Sequence, residues 1–139
     1  MPIREGYASD IYIVSSGELM SLYAANNIAK GVRRFAVRGN VRLAGIIGNS
    51  RNTPNEKKLL TEFAKRLNTK LVAFVPRDRI VNVSENSKQT VLQYAPDSVQ
   101  ADIYRKLAHD IWLNEDLSVP TPITFEELEK LVDIYGTEN

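Results

Sequence analysis

Val41-Arg42-Leu43-Ala44-Gly45-Ile46-Ile47 is almost continuously apolar, broken only by Arg42 and Gly45, and it runs into the polar loop Gly48-Asn49-Ser50-Arg51-Asn52. A strand with one wet face alternates polar and apolar residues. A strand that is apolar at nearly every position is covered on both faces, as in a parallel sheet. Upstream, Ile11-Tyr12-Ile13-Val14-Ser15-Ser16 is a second short β-branched run, and a helical pattern begins directly after Gly17. Ala25, Ile28, Val32 and Phe35 recur at helical spacing and predict one inward face, with a stop near Gly39-Asn40. Downstream, Thr53-Pro54-Asn55-Glu56 reads as a helix start, with Thr53 as N-cap, proline at the first helical position and Glu56 returning a capping-box bond. Leu60, Phe63, Ala64 and Leu67 then share a face, Asn68 suits the left-handed turn that ends the helix, and Leu71 to Val75 forms a third apolar run closed by Pro76.

Strand, helix, strand, helix, strand implies an α/β fold: a partial parallel sheet of about three strands with flanking helices and right-handed crossovers. Ligands in such sheets bind at the carboxyl ends of the strands. Those ends carry Ser15-Ser16-Gly17-Glu18, Gly48-Asn49-Ser50-Arg51 and Val75-Pro76-Arg77-Asp78, all polar loops. The remainder reads as a helical tail. One helix is expected over about 98–113 with Ile103, Leu107 and Ile111 inward, then a proline-rich connector, then a last helix opened by Thr124 and Glu127 and stopped by Gly136. Strand and helix repeats thus occupy 1–78 and the tail 79–139, with no repeat, low-complexity tract or charge block to divide one domain.

Composition narrows the chemistry. The chain has 139 residues, 43% hydrophobic and 25% charged, which excludes disordered, collagenous and coiled-coil classes. Lys+Arg 18 against Asp+Glu 17 gives a net charge of +1, so the bulk electrostatics ask for neither nucleic acid nor an anionic membrane. No apolar run approaches the ~18–20 residues of a membrane span and no secretory signal is evident, so a cytoplasmic location is expected. With no cysteine there is no disulfide, thiolate metal site or cysteine nucleophile. The single histidine, His109, lies within a helical pattern with no second ligand nearby and reads as packed or solvated.

Neither a phosphate-binding Gly-x-x-x-x-Gly-Lys-Ser/Thr loop nor a Gly-x-Gly-x-x-Gly fingerprint occurs. Three strands without a phosphate-binding turn are few for a complete sheet of this kind, and the sequence looks like the second half of a larger domain. Asn49 and Asp78, at successive strand ends, can read the donor and acceptor edge of a purine, or can simply cap their loops. Gln100 and Tyr104, four apart on the tail helix, either rise from one face towards a ligand or serve surface and packing. Asp78 and Glu85 are close enough to share a pocket, but no nucleophile accompanies them as an acid–base pair. Lys30 to Arg34 reads as a solvated helix face.

Several longer stretches resemble, in order and in register, the carboxyl-terminal half of the nitrogenase iron protein family, the ATP-dependent dinitrogenase reductases. They are Met-Pro-Ile-Arg-Glu at 1–5, Ser-Gly-Glu at 16–18 with Tyr-Ala-Ala-Asn-Asn-Ile-Ala-Lys-Gly at 23–31, and Val-Arg-Leu-Ala-Gly-Ile-Ile at 41–47. Asn-Ser-Arg-Asn at 49–52, Phe-Val-Pro-Arg-Asp at 74–78, Gln-Ala-Asp-Ile-Tyr-Arg at 100–105, and Pro-Thr-Pro-Ile-Thr with Glu-Glu-Leu-Glu at 120–129 continue the match.

The resemblance implies that these residues build the adenine side of an ATP/ADP site in a P-loop NTPase fold. Asn49 and Asp78 would contact the base, Pro76 and Arg77 would form the loop against it, Val81 and Glu85 would close that wall, and Gln100 and Tyr104 would approach from the helix. Arg4 and Glu5 would be partner or dimer contacts. In the family the phosphate loop, the magnesium ligand and both cysteines of the [4Fe-4S] cluster lie upstream of the Met-Pro-Ile-Arg-Glu segment, and this chain carries none of them. Ser15 and Gly48 stand where many members have a cysteine that is not a cluster ligand. The implied parent activity is ATP-coupled electron transfer from the cluster to an electron-acceptor protein, and the chain alone is expected to be neither ATPase nor reductase. Two other readings stay open: a freestanding module that assembles with an amino-terminal half or with itself, and a fragment of a related tetrapyrrole-biosynthesis reductase.

Overall fold

The computed structural model describes residues 8–136. Strands β1 (Asp10–Ser15), β2 (Arg42–Asn49) and β3 (Leu71–Val75) form one sheet in the order β1-β2-β3, with both neighbouring pairs parallel. Helix α1 (Leu19–Ala36) crosses from β1 to β2, and α2 (Glu56–Arg66) crosses from β2 to β3. Beyond the sheet, α3 (Arg79–Asn86) and the single turn α4 (Val91–Tyr94) lead to α5 (Val99–Leu113), and α6 (Phe125–Tyr135) ends the described chain.

The core lies on one face of the sheet. Ile13, Leu43 and Ile46 meet Leu22, Ala25, Ala29 and Val32 of α1, Leu59, Leu60 and Phe63 of α2, and Leu128 and Leu131 of α6, all buried in one cluster. Asn26 pins α6 to this layer: its carboxamide donates to Ile123 O (2.7 Å) and accepts from Ile123 N (3.0 Å). Tyr12 and Val14 alternate with the core-facing residues of β1 and point to the other face. Val14 there is 60% exposed: α5 packs on β3, and Asn114 at its end donates to Tyr12 Oη and Ala44 O. No described helix is long and apolar enough to cross a membrane.

Three local expectations are corrected. On α1 the buried stripe is Leu22, Ala25, Ala29, Val32 and Ala36, and Ile28 is 40% exposed; the small alanines, not the larger isoleucine, let the helix approach the sheet. On α5, Ile103, Leu107 and Ile111 are only half-buried, because one strand alone lies beneath them. The start of α2 also differs. Asn55, in the left-handed region at φ 50°, is the N-cap in place of Thr53, whose Oγ1 is buried against Gly17 and finds no hydrogen-bond partner among the described residues. Glu56 makes no capping box, because its carboxylate is drawn inward by stronger donors.

Candidate functional site

The sheet places its carboxyl ends, and the loops after them, on one side. Beyond β2 and β3 they enclose a concavity of about 460 Å³, within the size range of small-ligand pockets. Asn49 and the loop residues Ser50, Arg51 and Asn52 form one wall. Pro76, Arg77 and Asp78, with Arg79, Val81 and Asn82 of α3, form the second, and Gln100 and Tyr104 of α5 close the third.

Asn49 ends β2 exposed, and its side chain makes no hydrogen bond among the described residues. Asp78 has two jobs available to its two oxygens. Oδ1 accepts from Ile80 N at 2.8 Å and so caps α3, while Oδ2 bonds nothing among the described residues and stays available. Gln100 is 2% exposed and does not project towards a ligand as a free amide. Its Nε2 donates to Pro76 O at 3.1 Å and to Tyr104 Oη at 3.3 Å, so it ties α5 to the loop that carries Arg77 and Asp78. Tyr104 is half-buried beside it. Arg51 pairs with Glu18 at 3.2 Å, whereas Arg77 and Arg79 are exposed and in no ion pair among the described residues. The rim is therefore cationic around a recess that offers an amide, a carboxylate oxygen and an aromatic ring.

Behind the Asn49 wall sits Glu56, 5% exposed. Oε2 accepts from Gly17 N (2.9 Å) and Arg51 N (3.0 Å), and Oε1 accepts from Ser50 Oγ (2.6 Å). Burial pushes this carboxyl up, but hydrogen bonds from the Ser50 hydroxyl and the Gly17 and Arg51 amides outweigh it and hold it below its ordinary value of 4.5. A folded-state value below the unfolded one means that the stabilisation is complete above the ordinary carboxylate range and is lost as pH falls through the folded-state value. The melting-temperature gap between wild type and Glu56→Gln is therefore expected to be widest above the ordinary carboxylate range and to close as pH falls below it, in thermal melts across acidic pH. A gap independent of pH would show that the charge of Glu56 is not engaged.

Of the site residues read from sequence, Asn49, Pro76, Arg77, Asp78, Val81, Gln100 and Tyr104 come together in this concavity. Glu85 is exposed at the far end of α3 and does not line it, and Arg4 and Glu5 lie outside the described residues. His109 is exposed on α5. Ser50, Arg51, Asn52, Arg79 and Asn82 line the concavity without having been singled out. The first three simply continue the loop after Asn49. Asn82 is four residues after Asp78, a spacing that returns to the same side once Asp78 starts a helix.

Among the described residues no three His, Cys, Asp or Glu side chains converge as metal ligands. A chain without cysteine cannot supply thiolates to an iron–sulfur cluster, so the residues present do not fit that group. The fold is similar to that of the cell division ATPase MinD of Pyrococcus furiosus, with a TM-score of 0.57 and 16% identity over 76% of this chain. The matched region is 43% of that protein, so the chain spans less than half of its length. By sequence, the family described as 4Fe-4S iron sulfur cluster binding proteins, NifH/frxC family, matches residues 1–138. The match takes in the loops that form the concavity as well as the strands and helices that carry them, and the chain belongs to the NifH/frxC family.

Proposed function

We propose that the concavity is the adenine side of an adenine-nucleotide site, and that the chain is the carboxyl-terminal half of an ATP-dependent reductase of the NifH/frxC family. The observation that carries this reading is the pairing of two groups unengaged among the described residues, the Asn49 carboxamide and Asp78 Oδ2, in one recess at the carboxyl ends of adjacent parallel strands. A carboxylate oxygen accepts from the exocyclic amine of adenine, and an amide can donate to a ring nitrogen while accepting from the same amine. Tyr104 offers a ring to the base and Arg77 a planar cation. In the full reductase this half holds the base, and the phosphates, magnesium and cluster are bound by residues outside this chain. The chain alone is then neither an ATPase nor an electron carrier.

Calorimetric titration tests it. Adenosine is expected to bind weakly and in preference to guanosine, whose carbonyl oxygen at the corresponding position faces the Asp78 carboxylate. ADP gains little over adenosine, since no phosphate loop is present. Guanosine binding as well as adenosine, or ADP binding orders of magnitude tighter, would overturn the assignment.

A second reading is favoured by the edge of β1, unpaired among the described residues, and the exposed Val14 beside it. An unpaired strand edge next to an uncovered apolar face is usually buried by association. On this reading the chain assembles through β1 with an amino-terminal half or with a second copy. Light scattering on the purified chain is then expected to report a dimer or larger species, and a monomer at high concentration would sink the self-association form.

A further inference from the structure

Glu56 lines no part of the concavity, yet it is the buried group that joins two of the loops at the carboxyl end of the sheet. Its carboxylate accepts from Gly17, in the turn between β1 and α1, and from Ser50 and Arg51, the two residues that follow Asn49. Gly17 and Glu56 are 39 residues apart in the chain. The junction is also tight. A Cβ on Gly17 would stand 2.4 Å from Thr53 Oγ1 and 2.8 Å from Glu56 Cγ, closer than side chains approach. Ser50 adds a second anchor through its N–H to Val75 O (2.9 Å), which binds the same loop to the end of β3. The Arg51–Glu18 ion pair spans the same two loops, but it is exposed and contributes little.

Building on the adenine-site reading, we infer that Glu56 is a positioning residue that locks the turn at Gly17 to the Asn49 wall, so that a base entering the concavity and the conformation of the β1–α1 turn are coupled. What Glu56 supplies is a pair of acceptor oxygens at a fixed reach. Glutamine keeps the reach and replaces one acceptor by a donor: its oxygen accepts from Gly17 and Arg51, and its amide donates to Ser50 Oγ, whose proton is free to turn to Asn52 Oδ1 at 3.4 Å. Aspartate keeps the charge but falls one methylene short. Alanine removes both. The coupling therefore follows reach, in the order wild type, Glu56→Gln, then Glu56→Asp and Glu56→Ala.

Backbone amide NMR on the full chain, titrated with adenosine, decides it. Adenosine is expected to shift the Asn49 and Asp78 amides and, through Glu56, the Gly17 amide, which lies outside the concavity. The Gly17 response is expected to persist in Glu56→Gln and to vanish in Glu56→Asp and Glu56→Ala. Adenosine affinity falls about fivefold or more in the latter two, the scale of a typical coupling between sites, and stays within about twofold in Glu56→Gln. A Gly17 shift that survives in Glu56→Ala would be a direct effect of the base and would overturn the inference. So would a silent Gly17 in wild type while Asn49 and Asp78 respond, and in that case the adenine-site reading stands. No response at Asn49 or Asp78 removes both. Should Glu56→Ala fail to fold, the contrast between Glu56→Gln and Glu56→Asp gives the same decision.

Discussion

Asp78→Ala is expected to abolish measurable adenosine binding, and Asp78→Asn to weaken it nearly as much while leaving the fold intact. The two variants separate the roles of the two carboxylate oxygens. Oδ1 caps α3 through Ile80 N. Losing that cap costs about 1 kcal/mol, a loss asparagine avoids because it caps as well as aspartate does. Oδ2 is the oxygen left for a ligand. A hydrogen bond to a charged group contributes about 1.5–3 kcal/mol, so removing the charge weakens binding roughly 10- to 150-fold. Alanine therefore lowers both melting temperature and affinity, and asparagine lowers affinity alone. Calorimetry alongside thermal melts checks both, and wild-type affinity in Asp78→Asn would mean that Asp78 only caps its helix.

Phe63→Ala is expected to produce the largest loss of stability. Phe63 is 0% exposed, at the centre of the cluster that α2 builds with the sheet, α1 and α6. Truncating a buried phenylalanine costs about 3–5 kcal/mol in lost transfer energy and residual cavity. Native domains hold only about 5–15 kcal/mol, so this one change removes much of the reserve. Ile28→Ala is the control: that side chain is 40% exposed, and its loss is expected to cost under about 1 kcal/mol. Urea denaturation of both variants provides the comparison. Equal losses would restore the inward face expected for Ile28 and contradict the helix orientation described above.

That contrast shows where sequence patterning succeeds and where it stops. The nearly continuous apolar character of Val41 to Ile47 and the regular spacing of Leu60, Phe63, Ala64 and Leu67 are strong signals, because each is dictated by burial on a known geometric period. The left-handed Asn68 was equally legible, since few residue types tolerate that conformation. Ile28 was not. Whether Ile28 or Ala29 faces the sheet is a question of how closely two elements approach, which no local pattern records. Glu56 failed for a related reason. The stretch from Thr53 to Glu56 has the form of a capping box, but the donors that claim its carboxylate include Gly17, far away in sequence, and long-range competition overrides a local motif.

The candidate site divides along the same line. Asn49 and Asp78 were marked by their position at strand ends, a topological signal that survives without coordinates. Resemblance supplied Val81 and Glu85 as well. Of that pair only Val81 lines the recess, since α3 carries Glu85 away from it. Gln100 was legible as a polar residue on the right helix, but not as one whose amide is already spent on Pro76 O and Tyr104 Oη. Hydrogen-bond assignment needs the third dimension.

In the proposed site, Asn49, Asp78 and Tyr104 read an adenine base in one recess. Residue-resolved NMR of the chain during parallel titrations with adenosine and guanosine tests it most directly. The expected result is a saturable set of adenosine-induced shifts centred on 49–52, 76–82 and 100–104, with the relayed response at Gly17 beside them and guanosine producing far smaller ones. Shifts centred elsewhere, or identical for the two nucleosides, would contradict the account.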